Sequence, residues 1–337
     1  MMKIAFFSAK EYDKKYFEPL SEKLNISITY FKEQLNFDTA SLAKGFDATC
    51  SFVNDDVNGK VIESLKQMGV KAILLRCAGY DSVDLEKAKE LDMPVLRVPS
   101  YSPEAVAEHA AALLLAVNRK VHLANNRTKK FNFDINGLMG IVLNGKTAGV
   151  IGTGKIGKAM INILKGFGMD IIAYDIYQDI NSNIKYVSLD ELFSKADVIT
   201  LHVPLTSETK HLINSENISK MKDDAILINT ARGALIKTED LIEALEEGKF
   251  AGVGLDVYEN ERGYFYEDKS YLKEEERDKL LEKLLSFDRV IVTGHQAYFA
   301  DVAMEAIAET TLTNLKNYME KGQLTNEVNQ FLEGIKA

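Results

Sequence analysis

The chain has little of what secreted, membrane-spanning or metal-binding proteins depend on. Its 337 residues include no tryptophan, five prolines and two cysteines, Cys50 and Cys77. The cysteines are far apart, with no CxxC pair or Cys/His cluster, so we expect reduced, buried thiols in a cytoplasmic protein and no bound metal. The apolar run near the N-terminus, Ile4–Phe7, is too short for a signal-peptide core or a membrane span. We therefore expect no membrane association.

Positive charge is also scarce. Lysine and arginine number 41 against 50 acidic residues, a formal net charge of −9, which argues against a nucleic-acid partner. Hydrophobic residues make up 46% and charged residues 27%, which is typical of a globular protein. The length is sufficient for two domains, each with its own core.

What the chain does have is two successive series of apolar, strand-like runs alternating with helix-like stretches. Buried strands separated by helices predict parallel sheets covered on both faces. We therefore expect an α/β protein with two Rossmann-like or flavodoxin-like domains. The strands predicted in the first series are Lys3–Phe7, Ile26–Phe31, Ala48–Val53, Ala72–Arg76 and Val95–Val98, and the helices are Tyr12–Leu24, Lys60–Met68 and Leu85–Leu91.

Six strands are predicted in the second series, and each ends beside residues suited to a nicotinamide cofactor or a keto acid. Ligands of an open parallel sheet bind outside the carboxyl ends of its strands, so these residues predict one active-site rim. The six strands are Thr147–Ile151, Asp170–Tyr174, Val198–His202, Ala225–Asn229, Gly252–Leu255 and Arg289–Thr293. The helices expected between them are Ile156–Phe167, Leu189–Lys195, Ser215–Met221 and Thr238–Glu247, with an exposed amphipathic helix at Glu274–Leu285.

Two long helices are expected at the domain boundaries. Ser102 suits the cap and Pro103 the first turn of a helix that runs to Lys120. We expect this helix to join the domains. A final helix, Asp301–Lys321, is expected to pack back on the first domain. The predicted domains are residues 1–100 plus 299–337 for substrate and residues 101–298 for the cofactor.

The cofactor motif lies between the first two strands of the second series. Gly152, Gly154 and Gly157 supply a tight turn, close approach of a pyrophosphate and close helix–strand packing. Asp175 follows Gly157 by 18 residues, near the ~20-residue spacing expected for the acid that holds the adenosine ribose. Its charge would repel a 2′-phosphate, so the motif predicts NAD rather than NADP. The simpler alternative is that Asp175 only caps a turn.

Reduction of a 2-keto acid requires an anchor for the carboxylate, polarisation of the ketone and a proton donor. Arg232 suits the first two tasks because a guanidinium binds oxygens through paired donors. His295 suits the third, and Glu261 would orient its imidazole and favour the protonated ring. Each residue also has a structural alternative: a loop salt bridge, a core histidine and a surface carboxylate, respectively.

Five stretches carry a resemblance to a known family: Val150–Gly157, His202–Thr206, Asn229–Gly233, Gly254–Glu261 and Gly294–Tyr298. They resemble the D-isomer-specific 2-hydroxyacid dehydrogenases over the whole chain, and most of all the bacterial fermentative D-lactate dehydrogenases. The aromatic run Tyr264–Tyr266 is similar to that subgroup.

The resemblance implies an active site in the cleft between the domains, with Arg232, Glu261 and His295 catalytic and His295 as proton donor to pyruvate. It further implies cofactor contacts by the glycines and by Lys155, Ile156, Asp175, Val203, Pro204, Thr209, Thr230, Ala231, Arg232 and Asp256. Substrate contacts are implied for Ala78, Gly79, Tyr101, Arg232 and Tyr298. A homo-oligomer, dimer or tetramer, is also expected because relatives associate through the cofactor domain.

Two alternatives stay open at this point. The substrate could be a larger 2-keto acid, since family members accept many, although Tyr101 and Tyr298 favour a small side chain. The chain could also be a non-catalytic NAD-sensing protein of the same fold. Retention of Arg232, Glu261 and His295 argues against that second alternative.

Overall fold

The computed structural model describes residues 1–329, which belong to two compact units. The first unit comprises Met1–Ser102 together with the chain from Ala300 onward, and the second comprises Pro103–Phe299. Each unit is built on one sheet in which all paired strands are parallel. The predicted α/β class with parallel sheets is therefore confirmed. Among residues 1–329, no helix is both long and apolar enough to cross a membrane.

The first unit contains a five-stranded sheet in the order β2-β1-β3-β4-β5. The final helix, Asp301–Lys321, packs on the first helix and on β4 and β5, as the sequence predicts. The strands are β1 (Met2–Phe6), β2 (Ile26–Tyr30), β3 (Ala48–Ser51), β4 (Ala72–Leu75) and β5 (Val95–Leu96), and the helices are α1 (Glu11–Lys23), α2 (Gly59–Gln67) and α3 (Leu85–Glu90).

The second unit contains a seven-stranded sheet in the order β12-β11-β10-β9-β6-β7-β8. Its strands are β6 (Thr147–Ile151), β7 (Asp170–Tyr174), β8 (Lys185–Tyr186), β9 (Val198–Leu201), β10 (Ile226–Asn229), β11 (Gly252–Leu255) and β12 (Val290–Val292). Its helices are α4 (Pro103–Arg119), α5 (Val121–Thr128), α6 (Lys155–Gly166), α7 (Leu189–Lys195), α8 (Ser215–Lys220), α9 (Thr238–Glu246) and α10 (Lys279–Leu285).

Helices bury both faces of this second sheet. Apolar side chains of α4 and α6 form one core with the sheet, while those of α7, α8, α9 and α10 form the other. The central strands β9 and β10 are buried along their whole length, which is why they consist of apolar runs rather than alternating residues. This double covering leaves the carboxyl ends of the strands to carry the functional loops.

Three expectations about elements differ from the structure. The prediction of a single helix at Glu274–Leu285 is wrong, since a short 3₁₀ turn, Glu274–Glu276, precedes α10. The Asp278 carboxylate caps the start of α10 by accepting hydrogen bonds from the amides of Leu280 and Leu281. The long helix after Ser102 ends at Arg119, since Lys120 is left-handed (φ +49°), and α5 follows it. The sheet also gains a seventh strand, β8, whose two residues are too few to give a sequence pattern.

Candidate active site

The order of the second sheet places β6 next to β9 at the point where the strand order reverses. In open parallel sheets a ligand crevice forms at such a point, outside the carboxyl ends of the strands. The loops that follow β6 and β9 approach closely here. A Cβ atom on Gly152 would lie 2.6 Å from the backbone of His202, and the residue has a φ of +94°, so only glycine fits.

The other two glycines of the motif differ in their surroundings. A Cβ on Gly157 would lie 1.9 Å from the Gly152 carbonyl oxygen, so this residue allows α6 to pack against the turn. Gly154 precedes α6, is exposed, and a Cβ there would meet no atom within 4 Å. Open space therefore lies above the positive end of α6, where amide groups can bind a pyrophosphate. The turn fits a dinucleotide.

Asp175 is bound to the glycine turn. Its carboxylate accepts a hydrogen bond from the Thr153 amide at 2.6 Å and one from the Thr153 hydroxyl at 3.0 Å. The Thr153 hydroxyl also lies 3.0 Å from the hydroxyl of Tyr186 in β8. Asp175 therefore both caps the turn and presents a half-buried carboxylate beside it. The sequence analysis missed Thr153 and Tyr186 because nothing in their spacing marks them.

The loop after β9 carries three residues assigned to the cofactor by resemblance. Thr209 closes this loop, since its hydroxyl donates to the Pro204 carbonyl at 2.7 Å and accepts from the Thr206 amide at 2.8 Å. Val203 is half-buried and Pro204 is exposed. The loop is thus fixed by its own hydrogen bonds at the edge of the crevice.

Arg232 follows β10 on a loop held by Asn229. The Asn229 side chain accepts from the Ala231 amide at 3.0 Å and donates to the Arg232 carbonyl at 2.8 Å. The Arg232 guanidinium donates to the Ala231 carbonyl at 2.8 Å. A Cβ on Gly233 would lie 2.1 Å from the Tyr258 carbonyl, so the loop also packs tightly on the chain that leads to Glu261.

His295 and Glu261 form a direct pair. His295 Nδ1 lies 2.7 Å from Glu261 Oε1, and Glu261 Oε2 accepts from the Tyr258 amide at 3.0 Å. The Tyr266 ring lies 5.7 Å from the imidazole, tilted by 35°. Because Nδ1 is engaged with Glu261, Nε2 is the nitrogen left to meet a substrate. The structure brings together two members of the trio and fixes the orientation of the ring.

Asp256 supports the backbone of the His295 loop. The carboxylate has no exposed surface, and it accepts hydrogen bonds from the Thr293 hydroxyl at 2.5 Å and from the amides of Gln296 and Ala297 at 2.9 and 2.8 Å. The Asp256 carbonyl accepts from the His295 amide at 2.7 Å. These bonds hold His295 in a left-handed conformation (φ +55°).

A second histidine extends this network. His109 on α4 lies 3.0 Å from the Thr293 hydroxyl and 3.3 Å from the Asp256 carboxylate. The sequence analysis missed His109 and Thr293, and also Asn229. His109 lies in the middle of α4, away from any strand end. Asn229 and Thr293 stand at the ends of β10 and β12, but their side chains bond neighbouring loops, so their residue types gave no signal of a role.

The remaining predicted cofactor residues surround these loops. Thr230 is buried beside Ala231, and its hydroxyl has no hydrogen-bond partner within residues 1–329. Lys155 is exposed and Ile156 half-buried in the first turn of α6. Tyr298 lies next to Phe299, with ring centroids 6.1 Å apart.

The other substrate residues assigned by resemblance belong to the first unit. Ala78 and Gly79 follow β4, and Tyr101 follows β5; all three are half-buried. Within residues 1–329, no three His, Cys, Asp or Glu side chains are grouped in a way that could hold a metal ion.

Comparisons with known proteins agree with this geometry. Residues 111–297 match the model of the D-isomer specific 2-hydroxyacid dehydrogenase NAD-binding domain. The chain is 48% identical over 325 residues to the D-lactate dehydrogenase of Escherichia coli K12, covering 96% of this chain and 98% of that one.

Two solved structures are also similar. One is the pyruvate reductase of Chlamydomonas reinhardtii, with a TM-score of 0.90, 41% identity, and coverage of 97% of this chain and 98% of that one. The other is the D-lactate dehydrogenase of Lactobacillus jensenii with NAD⁺, with a TM-score of 0.81, 31% identity, and coverage of 97% and 99%.

The second unit is thus an NAD-binding domain, and its site combines a glycine turn with a histidine–carboxylate pair, as in a nicotinamide-dependent oxidoreductase. The chain belongs to the D-isomer specific 2-hydroxyacid dehydrogenases. The predicted family and the predicted cofactor, NAD, are confirmed.

Proposed function

We propose that this protein is an NAD-dependent D-lactate dehydrogenase that reduces pyruvate reversibly to D-lactate. The observation that carries the proposal is the His295–Glu261 pair, held at 2.7 Å on a loop fixed by Asp256. Overall identity of 48% to a D-lactate dehydrogenase supports the choice of substrate.

The residues divide the reaction between them. NADH, when bound, supplies a hydride to the C2 carbon of the keto acid. His295 donates a proton from Nε2 to the ketone oxygen, while Glu261 stabilises the charged ring through Nδ1. Arg232 polarises the ketone and anchors the carboxylate with its paired donors. In the reverse direction His295 accepts the proton from the hydroxyl group.

The residues that would hold NAD are those of the crevice between β6 and β9. The amides after Gly154 would bind the pyrophosphate, and Asp175 would accept hydrogen bonds from the adenosine ribose. Val203, Pro204 and Thr209 would border the nucleotide from the loop after β9, and Thr230 and Ala231 would do so from the loop after β10. Asp256, whose carboxylate is buried, would act through the loop that carries His295. Ala78, Gly79, Tyr101 and Tyr298 contact the keto acid.

The test is the decay of NADH absorbance with pyruvate, followed by a chiral assay of the product. Rapid oxidation that yields D-lactate is expected. Markedly higher kcat/KM with a bulky acid such as phenylpyruvate would instead indicate a dehydrogenase for larger 2-keto acids. Intact NADH binding without turnover of any 2-keto acid would favour a non-catalytic NAD sensor.

A homo-oligomer, dimer or tetramer, is also proposed, with its contact on the segment that follows α5. Phe131, Phe133, Ile135, Met139 and Val142 form an apolar loop whose side chains are 70% to 89% exposed. A group of exposed apolar side chains this dense is typical of a protein–protein interface. The Arg127 guanidinium holds this loop in place by donating hydrogen bonds to the backbone carbonyls of Asp134 and Asn136.

A cytoplasmic location is proposed as well. It is supported by the two cysteines, Cys50 and Cys77, which are both buried and are not joined in a disulfide within residues 1–329. Unpaired thiols are the usual state of cysteine in a reducing compartment. Fractionation of the cells that make the protein would test this location, and recovery with the membranes would contradict it.

A further inference from the structure

The loop after β4 has three successive carbonyl groups held by hydrogen bonds. The Val98 amide donates to the Cys77 carbonyl at 3.1 Å. The Arg97 guanidinium donates to the Ala78 carbonyl through Nη1 at 2.8 Å, and the Cys77 thiol donates to the Gly79 carbonyl at 3.2 Å. Every carbonyl of residues 77–79 is therefore turned toward β5 or toward the loop itself.

Peptide geometry sets the direction of the matching amides. In a trans peptide the N–H of one residue points away from the carbonyl of the residue before it. The amides of Ala78 and Gly79 therefore point away from Val98 and Arg97, and within residues 1–329 neither has a protein acceptor. Backbone amides without a protein acceptor leave donors from which an anion such as a carboxylate can accept hydrogen bonds.

Arg97 is itself held firmly enough to fix this arrangement. Its amide donates to the Asn326 carbonyl at 3.1 Å, and its carbonyl accepts from the Asn314 side chain at 2.9 Å. Its guanidinium lies 5.2 Å from the centre of the Tyr80 ring. Parallel pairing of β5 with β4 brings Arg97 beside the loop, although 18 residues separate it from Gly79 along the chain.

We propose that Arg97 is a positioning residue for carboxylate recognition. It holds the peptide between Ala78 and Gly79 so that the Gly79 amide faces the carboxylate of the 2-keto acid, which Arg97 itself does not touch. The Cys77 thiol holds the peptide between Gly79 and Tyr80 in a similar way, through its hydrogen bond to the Gly79 carbonyl. This inference rests on the proposed function, since it assumes a 2-keto acid substrate.

The test compares Arg97→Met, which removes the donors but keeps the apolar stem, with Arg97→Lys, which keeps one donor. Lys66→Met is the matched control: Lys66 also donates to a backbone carbonyl, that of Asp92 at 3.0 Å, but before β5 rather than after it. The readouts are KM and kcat for pyruvate, the inhibition constant of oxamate and the Kd of NADH.

In Arg97→Met we expect the KM of pyruvate and the inhibition constant of oxamate to rise together, by about 10- to 100-fold. We expect kcat to stay within about threefold and the Kd of NADH to be unchanged, because hydride and proton transfer do not use this loop. Arg97→Lys is expected to recover part of the loss. Lys66→Met is expected to match the wild type in all four values.

Unchanged KM and oxamate inhibition in a folded Arg97→Met would overturn the inference, as would a parallel loss of NADH affinity. If Arg97→Met does not fold, the comparison of Cys77→Ala with Cys77→Ser replaces it. Only serine keeps a donor to the Gly79 carbonyl. Equal KM values for pyruvate in these two variants would reject the inference that hydrogen bonds to the loop carbonyls position its amides. Failure of the proposed function is distinct: the wild type itself would not reduce pyruvate. Oxamate binding to the NADH-bound protein by calorimetry would then still test Arg97.

Discussion

Two carboxylates serve His295 in different ways. Glu261 bonds the imidazole ring, while Asp256 bonds the backbone that carries it. Burial acts to raise the pKa of Asp256, but hydrogen bonds from His109, Thr293 and two backbone amides outweigh it and hold the pKa below its usual range. The stability this adds is present above the ordinary pKa of 3.8 and is lost only as the pH falls through the lowered value. The hydrogen bonds from Asp256 to the His295 loop are therefore at full strength near neutral pH.

Replacement of the proton donor gives the most direct prediction at this scale. His295→Gln is expected to lower kcat roughly 10²- to 10⁴-fold with the Kd of NADH unchanged, because a general acid is lost while the glutamine can still bond Glu261. Stopped-flow NADH oxidation and NADH fluorescence titration measure the two quantities.

A second histidine–glutamate pair in the same unit provides the control. His211 Nε2 lies 2.5 Å from Glu259 Oε1, so His211→Gln makes the same change to a similar contact outside the proposed site. We expect this variant to keep wild-type kcat. Near-full activity in His295→Gln would remove that residue from the mechanism.

Cofactor choice is the second prediction made for single residues. Asp175→Ala is expected to reduce the preference for NADH over NADPH by roughly 10-fold or more, because a negative charge no longer opposes the 2′-phosphate. The ratio of kcat/KM for the two cofactors measures it.

The same carboxylate holds the Thr153 amide, so alanine also loosens the turn. Asp175→Asn separates the two effects, since it removes the charge but keeps an acceptor. If charge sets the preference, both variants change the ratio. A preference unaltered in both would show that selection lies elsewhere.

At the scale of elements, substitutions at two glycines of the turn are expected to weaken NADH binding for different reasons. Gly157→Ala places a methyl group against the Gly152 carbonyl, and overpacking of this kind costs about 1–3 kcal/mol, so we expect both Tm and NADH affinity to fall. Gly154→Ala meets open space at a φ of −64°, so we expect an unchanged Tm but weaker NADH binding where the pyrophosphate approaches.

Gly166→Ala is the control for this pair. It lies in the last turn of the same helix with nothing within 4 Å of a Cβ, so we expect neither property to worsen. Thermal melts and NADH titrations of the three variants measure the outcome. Wild-type NADH affinity in Gly154→Ala would mean that the pyrophosphate does not approach this residue.

The bounds of helices and strands could be predicted from the sequence wherever the apolar periodicity was strong. The bounds of Gly252–Leu255 and Asp301–Lys321 agree with the structure because a buried run or a long amphipathic stretch defines both ends. The prediction failed at Glu274–Leu285, where Leu spacing continued through a residue that acts as a cap, Asp278. Periodicity measures which face is apolar, whereas a cap depends on one side chain and the local backbone.

The three residues proposed as catalytic, Arg232, Glu261 and His295, could be proposed from the sequence for a different reason. Arg232 and His295 follow strands closely, so strand ends alone placed them at one rim of the sheet. His109 could not be found in this way because it lies in the middle of α4 and reaches Asp256 across the fold. Residues that act on a site through hydrogen bonds leave no local pattern in the sequence.

At the scale of the whole molecule, the loop after α5 exposes an unusually large number of apolar side chains. Most of the second unit's apolar side chains enter one of two cores, but the apolar loop after α5 exposes five of them within twelve residues. The Phe131 and Phe133 rings contact each other edge to face, with centroids 6.3 Å apart. An exposed apolar patch of this size is typical of an interface, and a two-fold axis would bring the same loop from each copy together.

The oligomeric state provides the last prediction. We expect the wild type to have the mass of a dimer or tetramer in light scattering at micromolar concentration. The double variant Phe133→Ser, Met139→Ser should shift toward the monomer because the contact loses two of its large apolar side chains. Tyr271→Ser is the control, since Tyr271 is 70% exposed but lies outside the loop; its mass should equal that of the wild type. A monomeric wild type, or a double variant of unchanged mass, would show that this loop does not hold copies of the chain together. Far-UV circular dichroism of the double variant separates dissociation from unfolding, because subunits that only dissociate keep their helix and strand content.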